Sequence, residues 1–249
     1  MYKVGIVSYT NVLPFLYGLE RLDSIKLYDE YPSLLSKHFF SGRYDIALLP
    51  VGALERAGED IEIVADYCIG AEKRVDSVCL YSEVPLSDVR DVLLDFQSAT
   101  SVRLMRVLDH FFLKKDFNFW DAKGNEYLNE IKGKTAGVVI GDRTFALNSR
   151  FAYRYDLAEL WHKYTGLPFV FALWVAPKGL LPLSFKRMFN HALAEGVYNI
   201  PGVVNRYGRV SHVLSGEELR NYLQNSISYN LGHDKRVAVN LFLELLKQV

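Results

Sequence analysis

The sequence predicts an α/β protein in which helices cover both faces of a largely parallel sheet. Short apolar runs alternate with longer amphipathic segments, as expected when strands alternate with helices. Several of these runs are nearly continuous in Val, Ile and Leu, which is typical of strands buried on both faces. The chain has 249 residues, of which 50% are hydrophobic and 23% charged, so one large domain or two lobes can form a core.

The strands are predicted from the short apolar runs, and the first long helix from amphipathic periodicity. The seven predicted strands are residues 4–8, 44–51, 61–69, 77–82, 92–96, 136–141 and 169–176. Residues 101–115 place Leu104 and Leu108 on one helix face. Lys114 and Lys115 lie in the last predicted turn, where positive charge interacts favourably with the helix dipole.

A second helix is predicted over residues 156–164. Asp156 is a plausible N-cap, and the helix is expected to stop at Gly166, shortly before Pro168. The C-terminal quarter is predicted to be entirely helical, over residues 183–198, 216–231 and 233–247. These helices are expected either to pack on the first lobe or to mediate a homodimer.

The order of these elements predicts two lobes with an inserted middle. The first lobe would comprise residues 1–85 and 175–249, and the second lobe residues 86–174. If the strands before residue 85 and near residue 174 cross between lobes, they form a hinge. A hinge beside a cleft is suited to enclosing a small ligand.

Composition excludes several classes of function. The 29 basic and 29 acidic residues give no net charge, whereas a general nucleic-acid binder shows a basic excess. No apolar stretch approaches the ~20 residues of a membrane span. Cys68 and Cys79 form neither a disulfide framework nor a zinc motif, and the six histidines are scattered. We therefore expect a cytoplasmic protein without metal or other cofactor.

Nucleotide and serine-hydrolase motifs are absent as well. Residues 133–135 read Gly-Lys-Thr, but Leu128 stands where a phosphate-binding loop needs its first glycine. No G-x-S-x-G elbow and no G-x-G-x-x-G fingerprint is present.

Two polar segments follow predicted strands and are candidates for a binding site. Ligands of open α/β sheets bind outside the carboxyl ends of the strands, where residues 8–11 follow the first strand. Residues 95–101 join a strand to a helix start, whose free N–H groups favour anions. Ordinary turn formation and helix capping are the structural alternatives at both segments.

The same segments carry a family resemblance. They are residues 7–11 (VSYTN) with Pro14, 42–50 (GRYDIALLP), 77–82 (SVCLYS), 95–101 (DFQSATS), 140–142 (IGD), 156–161 (DLAELW) and 165–172 (TGLPFVFA) with Trp174. In this order the chain resembles chorismate dehydratase of the futalosine route to menaquinone. The resemblance implies a two-lobed type II periplasmic-binding-protein fold with a ligand cleft between the lobes. One departure is Thr10, where the family usually has leucine.

The resemblance also implies roles for individual residues. Chorismate would lose water to give 3-[(1-carboxyvinyl)oxy]benzoate, with Asn11 as the catalytic residue and no cofactor. The expected substrate-binding residues are Ser8, Tyr9, Ser77, Ser82, Ser98, Thr100, Ser101 and Asp142. Among these, the helix-start hydroxyls at residues 98, 100 and 101 would hold a carboxylate, while Asp142 has a structural cap as its alternative role.

Three other functions remain open at this point. The sister enzyme 1,4-dihydroxy-6-naphthoate synthase shares the fold and the segment at residues 44–47, although residues 165–174 look more like the dehydratase. A non-catalytic carboxylate-binding receptor would need the same cleft. A ligand-sensing domain of a regulator is the third, and no DNA-binding helix pair accompanies it.

Overall fold

The computed structural model describes residues 1–58, 60–147, 149–208 and 213–249. Its strands, in chain order, are β1 (Tyr2–Val7), β2 (Ile25–Glu30), β3 (Ile46–Pro50), β4 (Ile61–Ala71), β5 (Val78–Ser82), β6 (Asp91–Leu94), β7 (Asn118–Asp121), β8 (Thr135–Ile140), β9 (Tyr153–Asp156), β10 (Phe169–Pro177) and β11 (Ser228–Asn230). Its α-helices are α1 (Leu13–Leu19), α2 (Pro32–Phe40), α3 (Ser101–Leu108), α4 (Leu157–Thr165), α5 (Leu183–Val197), α6 (Ile200–Tyr207), α7 (Gly216–Asn221) and α8 (His233–Leu246).

The described strands form two sheets, each the centre of one lobe. The first sheet has six strands in the order β11-β4-β10-β3-β1-β2, and the second has five in the order β7-β6-β8-β5-β9. In the first sheet β1 is parallel to β2 and β3, whereas β10 is antiparallel to β3 and β4. In the second, β6 is parallel to β7 and β8, whereas β5 is antiparallel to its neighbours.

The prediction of an α/β fold is confirmed, but both sheets are mixed rather than largely parallel. Strand β10 is buried along residues 169–176 although it runs antiparallel to both neighbours. A continuous apolar run therefore indicates that both faces of a strand are buried. It does not report the direction of the strand.

The chain changes sheet at places other than the predicted lobe limits. Strand β5 lies before residue 85 yet belongs to the second sheet, and β10 begins before residue 174 yet belongs to the first. The limits at 85/86 and 174/175 are therefore corrected to the segments between β4 and β5 and between α4 and β10. Both strands are central in their sheets, so their apolar pattern does not reveal to which sheet they belong.

The first predicted long helix is shorter than expected. The α-helix predicted over residues 101–115 ends at Leu108 and continues as a π-helical turn, Asp109–Leu113. Asp109 ends it by accepting hydrogen bonds from the N–H groups of Lys115 and Phe117, both at 2.9 Å.

The prediction of an entirely helical C-terminal quarter is wrong. After α7 comes a π-helical turn, Tyr222–Ser226, and then β11, which pairs with β4. This pairing joins residues that lie about 160 positions apart, so helical periodicity within residues 216–231 does not reveal it. By contrast, α4 starts and stops as predicted: the Asp156 carboxylate accepts from the N–H groups of Ala158 and Glu159, and Gly166 ends the helix with φ = 72°.

Helix α8 joins the two lobes on the side where the chain changes sheet. The Phe242 ring lies 6.1 Å from the Trp161 ring of α4 and 5.2 Å from the Phe169 ring of β10. Helix α5 packs against α1 and β4 of the first lobe. Among the described helices none has the length and apolarity needed to cross a membrane.

Candidate functional site

A cavity with a mainly apolar lining and a few polar side chains lies between the two sheets, at the carboxyl ends of their parallel strands. Val7 and Pro50 end β1 and β3 on one wall, and Ile140 ends β8 on the other. Its polar lining consists of Tyr9, Asn11, Ser77, Ser98, Thr100 and Ser101. The two segments selected from the sequence therefore face one another across a single cavity.

Asn11 has an unsatisfied polar atom in this cavity. It lies in the 3₁₀ turn Thr10–Val12 between β1 and α1, and its carbonyl accepts a hydrogen bond from the Tyr229 hydroxyl at 3.0 Å. The side chain is 9% exposed, and within the described residues its Oδ1 atom has no hydrogen-bond partner. A buried acceptor without a donor is costly, so this atom is suited to a hydrogen bond from a bound ligand.

Tyr222 lies beside Asn11 and was assigned no role from the sequence. Its hydroxyl donates to Ser77 Oγ at 2.7 Å and also contacts the Asn11 side chain. Burial raises the pKa of Tyr222 well above its ordinary value, and the contacts with Ser77 and Asn11 offset this only in part. Tyr222 therefore stays neutral and remains a donor. Residues 222 and 223 belong to a weaker part of the family resemblance, but no local motif predicts the contact with Ser77, which lies 145 positions away.

The hydroxyl groups at the start of α3 differ in whether their protons remain available for a hydrogen bond to a ligand. Ser98 Oγ accepts a hydrogen bond from the N–H of Ser101 at 2.9 Å, so its own proton remains available. Thr100 Oγ1 accepts from the N–H of Gly52 at 3.1 Å and donates to the carbonyl of Phe171 at 2.9 Å. The Thr100 hydroxyl is thus engaged in joining the second lobe to the first.

Ser8 and Asp142 line a neighbouring cavity of about 500 Å³ rather than the one that holds Asn11. Ser8 Oγ donates to Asp29 at 3.1 Å. The Asp142 carboxylate accepts from Thr10, at 2.8 Å from the hydroxyl and 3.1 Å from the N–H. Burial raises the pKa of Asp142, and the hydrogen bonds from Thr10 lower it. Thr10, the departure from the family pattern, therefore connects the two lobes.

Tyr9 closes the same side of the cleft. Its hydroxyl donates to Gln97 Oε1 at 2.9 Å, and burial raises the pKa of the phenol. Gly141 has φ = 67°, and a Cβ there would lie 2.5 Å from the Tyr9 ring. The positive φ and the short distance to the Tyr9 ring both require glycine at position 141, directly before Asp142.

Ser82 is the one candidate that lies away from both cavities. It ends β5, is fully buried, and its hydroxyl accepts a hydrogen bond from the N–H of Val84 at 3.1 Å. The structure brings Ser77, which directly precedes β5, to the cleft and places Ser82 at the far end of that strand.

A buried ion pair that the sequence did not reveal supports the start of α3. The Asp95 carboxylate is 1% exposed, pairs with Arg143, and accepts from the N–H groups of Gln97 and Ile140, both at 3.0 Å. It ties the segment before α3 to the end of β8. These contacts hold backbone and guanidinium groups in place, which indicates a structural role for Asp95 in the 95–101 segment.

The described form is closed. Contacts between the lobes surround the cavity, and they join Tyr9 to Gln97, Thr10 to Asp142, and Thr100 to Gly52 and Phe171. The enclosed volume is about 60 Å³, below the roughly 300–1,000 Å³ of typical small-molecule sites. A ligand of ordinary size therefore requires the lobes to separate. No group of three or more metal-ligating side chains occurs in the described part of the chain.

Comparison with known proteins agrees with this architecture. A family model described as menaquinone biosynthesis matches residues 2–248, so the chain belongs to that family. The chain is 28% identical to a chorismate dehydratase of Thermus thermophilus, covering 98% of this chain and 95% of that protein. It is 29% identical to a chorismate dehydratase of Campylobacter jejuni, covering 98% and 96% respectively.

Solved structures show the fold. A protein of Archaeoglobus fulgidus matches with a TM-score of 0.81 at 15% identity, over 99% of this chain and 97% of that one. A Candida albicans protein with the generic periplasmic-binding-protein fold matches at 0.65 and 14% identity, over 100% and 90%. The alkanesulfonate-binding protein SsuA of Xanthomonas axonopodis pv. citri matches at 0.66 and 11%, over 98% and 93%. The expected periplasmic-binding-protein-like fold is confirmed.

Proposed function

We propose that this protein is a chorismate dehydratase, a carbon–oxygen lyase that converts chorismate to 3-[(1-carboxyvinyl)oxy]benzoate and water. Two relatives that align over nearly their whole length carry that name. The observation on which the proposal depends is the buried Oδ1 atom of Asn11, which has no hydrogen-bond partner among the described residues and lies in the cavity between the lobes.

The reaction removes the proton from C3 and the hydroxyl from C4 of the ring. The C3–H electron pair becomes a ring π bond, the C4–O bond breaks with its electrons, and the released oxygen takes up the proton as water. Aromatisation makes the step favourable, so the protein mainly has to align the groups and exclude bulk water. In this proposal the enolpyruvyl carboxylate of the substrate accepts the C3 proton, since the described lining of the cavity includes no histidine.

Asn11 acts at the reacting carbon, and Tyr222 acts through Ser77. Asn11 Oδ1 accepts a hydrogen bond from the C4 hydroxyl and orients the C–O bond that breaks. Tyr222 positions Ser77: because Ser77 Oγ already accepts from Tyr222, its own proton is directed to another acceptor. The C4 oxygen or a substrate carboxylate provides that acceptor.

The second lobe binds a substrate carboxylate at the start of α3. Ser98 offers a proton for the same reason as Ser77, since its oxygen already accepts from Ser101. The N-terminus of α3 adds the favourable field of a helix dipole. Thr100 contributes through lobe closure, because its hydroxyl proton is already donated to Phe171. This assignment revises the role of carboxylate ligand that we expected for Thr100.

The test is direct. Purified protein is mixed with chorismate, and the aromatic product is followed by its ultraviolet spectrum and mass. Stoichiometric loss of chorismate with gain of the enolpyruvyl benzoate supports the proposal. Binding of chorismate without a spectral change would contradict it and favour a carboxylate receptor, the alternative that the similarity of fold to SsuA supports.

A further inference from the structure

A third cavity, of about 750 Å³, lies outside the closed cleft. It is formed by α2, by the 3₁₀ turn Val51–Arg56 and by the first turn of α3. We call it the basic vestibule, because its charged lining residues are Lys37, Arg56 and Arg103. Hydroxyls of Ser33, Ser36 and Ser41 complete its polar surface.

The basic vestibule and the Asn11 cavity share a wall. Ser98 and Ala99 line both, and the adjacent residues Pro32 and Ser33 line one each. Ser98 is 8% exposed and provides the free hydroxyl described above. An anion in the basic vestibule is therefore separated from the proposed carboxylate site only by this shared wall.

The positive charge of the vestibule is largely uncompensated. Within the described residues, Lys37 and Arg56 take part in no ion pair. Arg103 lies 3.6 Å from Glu55. Burial lowers the pKa of Arg103, Glu55 raises it, and the nearby charge of Arg56 lowers it again. Among the described residues, three cations thus face one carboxylate, in a chain whose net charge is zero.

The basic vestibule also lies at the seam, the contact between the lobes at Gly52 and Ala99 that must open when the lobes separate. Arg103 donates to the carbonyl of Gly52, and the N–H of Gly52 donates to Thr100. A Cβ at Gly52 would lie 2.5 Å from the Ala99 carbonyl, so the two lobes touch backbone to backbone here. Separation of the lobes at this contact connects the vestibule to the cavity.

The other cavity beside the cleft has the opposite charge. Glu20, Asp29 and Asp142 line it, its described lining contains no lysine or arginine, and Glu20 pairs with Arg206, which lies outside that lining. The charges of the two linings therefore favour a dianion at the basic vestibule over this side. A concave surface with one sign of charge focuses the field and raises the local concentration of a ligand of opposite sign.

We infer that the basic vestibule is the surface through which the dianionic substrate reaches the cavity, with Lys37 and Arg56 concentrating it at the seam between Gly52 and Ala99. The inference rests on the proposed function for the identity of the dianion. The charge and position of the vestibule do not depend on that function.

The experiment compares two double variants that remove the same charge. Lys37→Gln with Arg56→Gln changes the vestibule and leaves Arg103 in contact with Gly52. Lys123→Gln with Arg187→Gln is the matched control, because both residues are exposed and lie in no ion pair of the described chain. Steady-state turnover of chorismate is measured in about 20 mM and about 300 mM salt, a range over which exposed charges become screened.

For the vestibule variant we expect kcat/KM to fall about 5–10-fold in low salt, within the range of electrostatic steering, with kcat unchanged. In high salt its kcat/KM should match that of the wild type, and the control should match in both. A vestibule variant that cannot be distinguished from the control at low salt overturns the inference, although dehydration of chorismate would still stand.

A second probe separates failure of the inference from failure of the proposed function. Isophthalate, an unreactive aromatic dicarboxylate, is titrated calorimetrically into the same proteins at both salt concentrations. If none of the proteins turns over chorismate, the inference about the basic vestibule is still supported when the vestibule variant binds isophthalate more weakly than the wild type and the control, and does so only at low salt. Equal binding by both variants, or no binding by any of the proteins, rejects it.

Discussion

The two walls of the closed cavity use polar side chains in different ways. On the first-lobe wall, Asn11 is buried and its Oδ1 atom has no partner among the described residues, while Tyr222 donates across to Ser77 directly before β5. On the second-lobe wall, Thr100 is as deeply buried, but both of its hydrogen bonds go to backbone of the other lobe. We propose that this difference distinguishes a residue that contacts the ligand from one that only lines the cavity. What separates the two roles is whether the protein has already satisfied the polar atom.

The largest expected effect comes from Asn11→Ala. The variant should fold, since the Asn11 side chain has an unsatisfied oxygen to lose, and the hydrogen bond from Tyr229 goes to the backbone. Turnover of chorismate should fall at least ~100-fold, the low end for a positioned catalytic group. Steady-state kinetics and a thermal unfolding curve measure the two properties. Near-wild-type turnover by a folded variant would remove Asn11 from the mechanism.

A smaller loss is expected from Tyr222→Phe. Removing this hydroxyl frees Ser77 to rotate, so kcat should fall about 10-fold while KM changes little, and stability should fall by about 1 kcal/mol. Tyr198→Phe is the control, because Tyr198 is a largely exposed tyrosine with a long 3.4 Å hydrogen bond. If the Tyr222 variant lost stability but kept kcat, Tyr222 would be structural.

Thr100→Val tests the other wall. It leaves the Gly52 N–H and the Phe171 carbonyl without a partner in the closed form, at a cost of about 1–3 kcal/mol. Because that cost falls on closure, kcat/KM should decrease several-fold, and Thr100→Ser, which keeps the hydroxyl, should restore most of it. Equal losses in the Val and Ser variants would instead indicate a packing role for the methyl group.

The smallest effect concerns Asp142 and pH. Burial holds its pKa above the ordinary 3.8 of an unfolded aspartate, so the folded protein binds this proton more tightly. The stability from this group is complete below about pH 3.8 and is lost as the pH rises through the folded pKa. The unfolding free energy of the wild type minus that of Asp142→Asn should therefore decrease from pH 3.8 upward. A difference that increases with pH would mean that the folded state lowers the pKa of Asp142 instead of raising it.

Local pattern was sufficient for the strands at the centre of each sheet and insufficient for those at the edges. All seven predicted strands exist, whereas the four that were missed, β2, β7, β9 and β11, are the two edges of each sheet. An edge strand is short and partly exposed, as in β7, where none of its four residues is buried. Such a strand carries no apolar run, and its pairing with a distant neighbour defines it.

The same distinction holds for the site. Residues 8–11 and 95–101 could be selected from the sequence because a polar segment after an apolar strand marks the carboxyl end of a sheet. The sequence could not show which of these side chains keep an unsatisfied polar atom, because their hydrogen-bond partners lie far along the chain. Tyr222 reaches Ser77 across 145 positions, and Thr100 reaches Phe171 across 71. Burial pattern and strand ends are encoded within a few neighbouring residues, whereas hydrogen-bond satisfaction is settled when distant segments pack together.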